Sequence, residues 1–502
     1  MEKGFVTGAS FGVGLAILEA LNRAWRRSFF RAEKEEFMLV TRKLLVPAIF
    51  LLGALFVYFV LTERYPISGD DYSYIYQAKL FASGRLYAED PLYDADLPLH
   101  DCIETYCLRD DQGHRFSKYP PGWPALLAVG VKLRAPWLVD PLLGALLVFL
   151  MSNYTEQRMG EELVRGTGLL LMLCFFLPYY AGSFRAHIAT AVFVFAAFLV
   201  YDAAERRAQP SKLWLFIAGA LLGYSAMIRY IDWVPLAVWI GVSLLWRKRL
   251  ADLMLFGIGF GLLASGNLVY NALLSGDPFR LPAALHRSSD SINDHLMISW
   301  DGFVVTLVRL ANLLWIFPPA LLFVAFWRRY QPPSKVKMYL ALFSMNVAIY
   351  FFYPASVGGP GPRYFLAYFP FLVLAVVDLY RWICHDSPPA TRHLWNFAIV
   401  SLIVCSVVFA VKEGYTMYWR RDLERTVRQI RDGKNIVLLK TGTYKTARGD
   451  LTRNPPVLSS ADSLYFSWCE QPKRDALLKQ FPGRKIFVYE YPGRLERLSS
   501  VF

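Results

Sequence analysis

Residues 44–80 read LLVPAIFLLGALFVYFVLTERYPISGDDYSYIYQAKL, and this stretch decides how the chain must fold. Its first part, at about 44–62, is an apolar run close to the ~20 residues that a helix needs to cross a bilayer. Two adjacent acidic residues, Asp70 and Asp71, follow at the point where such a helix would leave the bilayer. The stretch therefore predicts a membrane span followed at once by polar groups at the membrane surface.

The composition indicates that lipid is the solvent of this chain. It has 502 residues, of which 55% are hydrophobic and 16% aromatic, and its mean hydropathy is positive. This is too apolar for a water-soluble protein of that size. The net charge of +14 could suggest a nucleic-acid partner. However, the basic residues separate apolar runs and do not gather on one polar face, so we expect no nucleic acid among its partners.

Apolar runs near span length recur along the chain and predict an α-helical polytopic membrane protein with about eleven transmembrane helices. They lie at about 44–62, 137–151, 166–182, 186–202, 213–229, 233–246, 252–274, 303–327, 338–355, 364–380 and 394–412. Basic clusters such as residues 247–249 and 328–329 alternate with less basic connections, and the positive-inside rule assigns the basic side to the cytoplasm. We therefore expect a cytoplasmic N-terminus and an extracytoplasmic C-terminus.

The same pattern divides the chain into three parts. Residues 1–37 are predicted to form a cytoplasmic, basic and amphipathic segment. Residues 38–413 form the transmembrane domain, whose first extracytoplasmic loop, 63–136, is far longer than a turn between spans requires. In residues 414–502, short β-rich runs are separated by glycine, proline and aspartate turns, which predicts a small extracytoplasmic α/β domain.

Ionisable and aromatic residues gather on the predicted outer side. Adjacent residues on a helix do not share a face, so one of Asp70 and Asp71 can point into a cavity while the other caps the helix or binds a loop. The candidate binding residues on the same side are Lys118, Tyr119, Arg185, His187, Arg229, Arg363 and Tyr364. Taken singly, each could be an interface residue with its polar end in the headgroup region. Their convergence on one leaflet favours a shared site, because charge at membrane depth is costly unless it is paired or functional.

The residue types point to phosphate chemistry. Arginine binds phosphate through paired hydrogen bonds and lysine binds it as a point charge, so cations at a membrane surface suit a lipid that carries a phosphate. A neighbouring aspartate suits a general base. Together they predict transfer of a group from a lipid phosphate to a hydroxyl.

Three short motifs, in this order, resemble the GT-C glycosyltransferases. They are the acidic pair after the first span, Lys118-Tyr119-Pro120-Pro121-Gly122, and Gly-Pro-Arg-Tyr at 361–364. The resemblance is to bacterial relatives of the protein O-mannosyltransferases and of the aminoarabinose transferase that modifies lipid A, and it covers about residues 40–412.

The resemblance implies an enzyme of the bacterial cytoplasmic (inner) membrane. Such an enzyme moves a monosaccharide from a polyprenyl-phosphate donor to a hydroxyl of a glycan, lipid or protein, and inverts the anomeric centre. It also implies that Asp70 is the catalytic base. Asp71 stands where relatives often carry glutamate, so it joins Asp70 as a catalytic candidate whose role stays open.

A metal ion and a disulfide are further expectations in the first outer loop. Some relatives use a divalent metal and others do not. Asp70, Asp71 and His114, with His100 and Asp101, could supply ligands to such an ion. Cys102 and Cys107 lie in that loop, where an oxidising compartment would allow a bridge between them. Cys469 stands alone in the C-terminal part.

Two other classes of protein remain open. A lipid or glycan transporter or flippase would also combine many spans with intramembrane charges, but transporters usually show internal repeats, and none is visible. A glycan polymerase or ligase that uses a polyprenyl-diphosphate donor would be favoured by a long outer loop late in the chain. Here the long loop comes first.

Overall fold

The computed structural model describes most of the chain. Its described residues are 36–66, 68–89, 107–109, 113–206, 211–285, 300–352, 361–389, 391–430, 433–440, 454–490 and 493–498. The predicted amphipathic segment 1–37 therefore lies almost wholly outside the described residues.

The described chain is mainly helical. The helices are α1 Glu36–Phe56, α2 Gly69–Ala82, α3 Gly122–Lys132, α4 Pro136–Met159, α5 Val164–Leu173, α6 Phe176–Ala181, α7 His187–Glu205, α8 Lys212–Ile228, α9 Val234–Trp246, α10 Leu250–Ser275, α11 Trp300–Ile316, α12 Leu322–Phe326, α13 Ser334–Ile349, α14 Phe369–His385, α15 Thr391–Thr416, α16 Tyr418–Val427 and α17 Gln471–Lys479. The strands are β1 Ala88–Glu89, β2 Cys107–Arg109, β3 His114–Ser117, β4 Asn435–Lys440, β5 Ser463–Ser467, β6 Lys485–Glu490 and β7 Arg494–Arg497.

Each of the predicted apolar runs coincides with a helix or a pair of helices. Among the described residues, six helices are long and apolar enough to cross a membrane, or seven if one bent pair counts as a single span. These six are Leu44–Leu61, Pro136–Met159, His187–Glu205, Leu250–Ser275, Arg363–His385 and Thr391–Tyr415. Helices α8 and α9 are apolar but shorter. The chain is thus a multi-pass membrane protein, and a total of about eleven spans stays a prediction.

Two of the predicted runs are not continuous helices. The run 303–327 is divided into α11 and a second helical stretch, Pro318–Phe326, which bend by 107° from one another. Phe317 at the break has φ −129° and ψ 67°, because a residue before proline is pushed out of the helical region and proline cannot donate a backbone hydrogen bond. The run 166–182 is likewise divided into α5 and α6, with Cys174 at ψ 81° between them. Both expectations of a single continuous span were wrong.

Helix α14 lies at the centre of the bundle and α10 at its edge. In the span Arg363–His385, 89% of the apolar window is buried, against 17% in Leu250–Ser275. Helices α8 and α10 nevertheless pack backbone to backbone. A Cβ atom on Gly219 would lie 2.0 Å from the carbonyl oxygen of Phe256, and one on Gly259 would lie 2.1 Å from that of Phe216. Small residues permit such close approach between membrane helices.

Two small sheets lie outside the bundle. In the first outer loop, β1, β3 and β2 form an antiparallel sheet in that order. Near the C-terminus the order is β5-β4-β6-β7, in which β4 is parallel to β5 and β6 while β7 is antiparallel to β6. This second sheet, with α16 and α17, confirms the predicted small α/β unit.

A short segment, Asn454–Pro456, joins this α/β unit to the first outer loop, and we call it the strap. The Asn454 side chain donates to the carbonyl of Tyr465 (2.7 Å) and accepts from its amide (2.8 Å), so the strap lies along the edge strand β5. On the other side, the Tyr72 hydroxyl donates to the Asn454 carbonyl, and Arg115 donates to the Pro456 carbonyl at 3.0 Å. The C-terminal unit is therefore docked on α2 and β3.

Candidate functional site

The first turn of α2 separates its two aspartates. Asp71 is fully buried and forms a capping box with Ser68, whose amide and hydroxyl both donate to Asp71 Oδ2 at 2.8 and 2.6 Å. The amide of Phe184 donates to Oδ1 at 2.9 Å, and Arg185 Nε lies 3.3 Å from Oδ2. Asp71 thus fixes the start of α2 to the chain just before α7.

Asp70 points instead into a group of cations. Tyr119 Oη donates to Asp70 Oδ1 at 2.5 Å, and Arg363 Nη1 lies 3.6 Å from Oδ2. The Asp70 side chain is 22% exposed. Burial raises the pKa of Asp70, but Arg363, Lys118, the Tyr119 hydrogen bond and Arg185 together outweigh it and lower the pKa to about 2. Asp70 is therefore a carboxylate at any physiological pH.

The far end of the first outer loop is held against α2. Ser73 and Ser117 share a hydrogen bond of 2.8 Å between their hydroxyls, and Gln77 accepts from the Ser117 amide at 2.9 Å. Tyr119 stacks on Tyr74 with ring centroids 4.4 Å apart. Burial and the neighbouring Asp70 raise the pKa of Tyr119 well above its usual range, so its hydroxyl stays a donor. The Lys118 ammonium lies 5.3 Å from the Tyr119 ring centroid.

Arg185 links this group to the last span. Its side chain is 1% exposed and donates to Tyr180 Oη at 2.9 Å. Burial lowers the pKa of Arg185, but Tyr180 and Asp71 outweigh it and raise the pKa above its usual range. The neighbouring Tyr179 donates to Glu413 Oε2, near the end of α15, at 2.9 Å.

A second cation group lies beside the first, around Arg229. Arg229 Nε lies 2.5 Å from Asp232 Oδ2, Nη1 lies 3.2 Å from His187 Nε2, and Nη2 donates to Tyr350 Oη at 3.1 Å. Tyr350 in turn donates to Asp232 Oδ1. These contacts tie together the ends of α7, α8, α9 and α13, so the group closes one end of the bundle.

Tyr364 connects the two groups. Arg363 donates to its hydroxyl at 3.1 Å, and the guanidinium carbons of Arg309, Arg363 and Arg229 lie 4.3, 5.1 and 5.6 Å from its ring centroid. Asp232 and Asp70 pair with two of these three arginines, so the region around Tyr364 keeps a net positive charge. Such a region favours an anionic group such as a phosphate over a neutral ligand.

The structure brings the predicted candidates into one connected region. They are Asp70, Asp71, Lys118, Tyr119, Arg185, His187, Arg229, Arg363 and Tyr364. Sequence reasoning missed Arg309, Tyr180 and Tyr350. Arg309 had a usable signal, since it is a cation inside an apolar run. The two tyrosines had none, because tyrosine is common in membrane spans.

The predicted metal ligands do not come together. Both oxygens of Asp71 are occupied by the contacts above, and the His114 ring lies against Tyr87 with centroids 3.8 Å apart. Within the described residues, no three side chains of the types His, Cys, Asp and Glu are placed to hold an ion. Asp70, Asp71 and His114 as metal ligands stay a prediction, and His100 and Asp101 lie outside the described residues.

The cysteine expectations have two outcomes. The predicted Cys102–Cys107 bridge lies outside the described residues, since Cys102 and the Cys107 side chain are not among them. Cys469 was expected to stand alone, and this was wrong because it is disulfide-bonded. In the described part of the chain, Cys174, Cys384 and Cys405 are reduced thiols.

Comparison with solved structures shows the fold of the chain. The structure of ArnT from Cupriavidus metallidurans bound to undecaprenyl phosphate aligns with a TM-score of 0.52 and 14% identity, over 89% of this chain and 93% of that one. ArnT from the same organism in the apo state gives a TM-score of 0.46 at 15% identity, over 89% and 92% of the two chains. The oligosaccharyltransferase of Archaeoglobus fulgidus in the apo form gives 0.41 at 12% identity, over 82% and 63%.

Sequence comparison adds no relative to these. No protein-family model matches the sequence, and no curated protein matches it. The alignment with undecaprenyl phosphate-bound ArnT shows that the chain has the GT-C fold, which confirms the fold predicted from the three motifs.

Proposed function

We propose that this protein is a membrane glycosyltransferase that moves a monosaccharide from a polyprenyl-phosphate donor to an acceptor hydroxyl. The observation that carries this proposal is the Asp70 carboxylate at the end of the first span, set among Lys118, Arg185 and Arg363. ArnT, which has the same fold, binds undecaprenyl phosphate, and this supports the lipid class of the donor. The acceptor is a glycan, a lipid or a protein.

In the proposed reaction, Asp70 accepts the proton of the acceptor hydroxyl as its oxygen attacks the anomeric carbon. The bond between that carbon and the phosphate oxygen breaks, and the lipid phosphate leaves with both bonding electrons. Attack from the face opposite the phosphate inverts the anomeric centre. Lys118 and Arg363 would stabilise the charge that develops on the departing phosphate.

The low pKa of Asp70 makes it a weak base before the donor binds. A general base works best when its pKa lies near the working pH. A phosphate between Lys118 and Arg363 would share the cations that now stabilise the Asp70 carboxylate, so the pKa of Asp70 would rise. Donor binding would in this way activate the base.

The other candidates take supporting roles in this proposal. Asp71 is a positioning residue, because its oxygens hold Ser68, Phe184 and Arg185. Arg185 keeps its charge beside Asp70 through its contact with Asp71. Arg229, His187 and Tyr364 would line the donor site, and Tyr119 orients Asp70.

We propose the orientation on the charge pattern of the sequence. The N-terminus lies in the cytoplasm of a bacterium, the bundle 38–413 crosses the inner membrane, and the unit 414–502 lies outside. The strap contacts support this grouping, since they dock the C-terminal unit on the loop that carries Asp70.

A flippase is the alternative that one structural observation favours. The 107° bend between α11 and the following helical stretch is a broken helix of the kind that transporters use. No described feature favours a polymerase or ligase with a diphosphate donor.

Purified protein in nanodiscs, given polyprenyl-phosphate sugars and a pool of candidate acceptors, tests the proposal. Mass spectrometry should detect lipid phosphate release coupled to sugar transfer, and Asp70→Asn should abolish it. Asp202→Asn is the matched control, because Asp202 pairs with Arg158 at the other end of the bundle. Lipid movement across liposome membranes without any bond cleavage would contradict the proposal and favour the flippase.

A further inference from the structure

One face of α10 carries polar side chains toward the first outer loop. Tyr270 and Asn271 follow Asn267 by three and four residues, and Leu274 follows them by four and three, so all four lie on one side of the helix. The Asn271 amide donates to the Pro278 carbonyl at 3.0 Å. Asn267 donates to the Ala226 carbonyl, at the end of α8, at 3.0 Å. The Tyr270 ring meets that of Phe81, at the end of α2, edge to face with centroids 5.9 Å apart. The face therefore looks into the space between α8, α2 and the loop.

Several buried polar atoms on this face or beside it have no hydrogen-bond partner among the described residues. They are Oη of Tyr270, Oδ1 of Asn271, Oδ1 of Asn267 and Oη of Tyr230. Tyr270 is 4% exposed and Asn271 is 2% exposed. Buried polar atoms in native proteins nearly always have a partner, which is another protein group, a water molecule or a ligand. Four such atoms in one region indicate a place that receives polar groups from outside the chain.

This region borders the candidate site. Tyr230 directly follows Arg229, and its hydroxyl is close enough to that of Tyr270 to interact with it electrostatically. Phe116, which belongs to the same hydrophobic cluster as Tyr270, lies two residues before Lys118. A ligand whose phosphate lies among Lys118, Arg229 and Arg363 would thus place its next group beside these tyrosines.

We infer that Tyr230, Asn267, Tyr270 and Asn271 form a subsite for the hydroxyl groups of an uncharged sugar. This inference rests on the proposed function and adds the class of sugar to it. Tyrosine hydroxyls and asparagine amides donate and accept hydrogen bonds without carrying charge, as sugar hydroxyls require. A few such groups in an apolar, aromatic surround are typical of small-molecule sites.

The neighbours of the subsite explain why the sugar is uncharged. Tyr270 lies in one cluster with the apolar side chains of Phe81, Phe116, Leu274 and Leu285, and Tyr230, Asn267 and Asn271 carry no charge. An amino sugar would bring an ammonium group that needs a carboxylate, and a uronic acid would bring a carboxylate that needs a cation. A hexose whose only polar groups are hydroxyls brings no charge, so it needs neither a carboxylate nor a cation in the subsite.

Binding measurements on the full chain in nanodiscs test the subsite. The probes are farnesyl phosphate and its glucose, mannose and 4-amino-4-deoxyarabinose esters. The two hexose esters should bind more tightly than farnesyl phosphate, and the amino sugar ester should not. Tyr270→Phe and Tyr230→Phe should each lower the affinity for the hexose esters by about threefold to tenfold, the worth of one hydrogen bond. Affinity for farnesyl phosphate should not change.

Two further readouts separate a ligand role from a structural one. Because the Tyr270 hydroxyl has no partner among the described residues, Tyr270→Phe should not lower the melting temperature of the ligand-free protein. Tyr201→Phe is the matched control, since Tyr201 is a buried tyrosine whose hydroxyl donates to Ser243 at 3.2 Å. It should lower the melting temperature and leave all four affinities unchanged.

The outcomes distinguish this inference from the proposed function. If hexose esters bind no better than farnesyl phosphate, or if both Phe variants keep the full preference, the subsite is wrong while the lipid-phosphate site stands. Tighter binding of the amino sugar ester would also overturn it. If the wild-type protein does not bind farnesyl phosphate at all, the proposed function itself fails.

Discussion

Asp70→Asn should separate catalysis from donor binding, with effects of opposite sign. The substitution removes the base, and loss of a general base slows reactions by about a hundredfold to ten-thousandfold. It also removes the negative charge that interacts with the cations Lys118, Arg185 and Arg363 when no donor is bound. Transfer should therefore fall while affinity for the lipid phosphate rises.

The size of the gain in affinity follows from the pKa of Asp70. A fall from the ordinary value of 3.8 to about 2 corresponds to about 2 kcal/mol of net stabilisation of the carboxylate. The Asp70 side chain is 22% exposed and solvent screens part of this interaction, so about 1 kcal/mol should pass to the incoming phosphate. Asp70→Asn should then bind a lipid phosphate about fivefold more tightly.

Two measurements check this prediction on protein in nanodiscs. Titration with fluorescent farnesyl phosphate gives the affinity, and single-turnover transfer from a polyprenyl-phosphate sugar gives the chemical step. Asp70→Glu is a useful companion, because it keeps the charge and should keep the wild-type affinity. If Asp70→Asn binds the phosphate more weakly, or keeps more than about a tenth of the transfer rate, the reasoning is wrong.

Three further predictions concern charge, stability and covalent structure. Arg363→Gln removes the cation that lowers the pKa of Asp70 most, so that pKa should rise from about 2 toward 3.8. The acid limb of the pH profile of kcat/KM should then move to higher pH, and an unmoved limb would contradict this. Asp71→Asn breaks a fully buried ion pair and should destabilise the protein by about 3 kcal/mol, visible as a lower melting temperature. Glu496→Gln, which breaks an exposed pair with Arg494, should not reproduce this effect. Non-reducing peptide mapping should find Cys469 in a disulfide, and an alkylated Cys469 thiol would refute the bond.

The sequence was informative where composition alone specifies structure. Apolar runs predict helices because only a helix satisfies its own backbone in lipid, and each predicted run holds one or two. The different surroundings of Asp70, among the cations, and Asp71, in the capping box, also followed from helix geometry, since adjacent residues face different directions. The gathering of Lys118 and Arg363 around Asp70 followed from the leaflet that the charge pattern assigns to them.

Other features depended on contacts that a single sequence does not reveal. The bend at Phe317 had a visible cause in Pro318 and Pro319, but hydropathy averages over such breaks. Tyr350 joins Asp232 and Arg229 only because α13 ends beside α9, and no residue pattern encodes that neighbourhood. The disulfide of Cys469 was missed for the same reason, because pairing follows three-dimensional distance and not separation along the chain.

The first ten residues of α2 leave a single position open to change. From Gly69 to Ala78, in a stretch that the structure describes completely, Asp70 is the one residue that is not buried. Helix α3, the strap, the 184–185 segment and β3 pack against the buried positions. If the protein evolves to use a new sugar or acceptor, the position of Asp70 can therefore hardly change. Substitutions should instead occur among the residues that face Asp70 across the site. For protein engineers the same holds: libraries aimed at α10 and the loops should yield altered specificity, whereas libraries aimed at α2 should yield mostly unfolded protein.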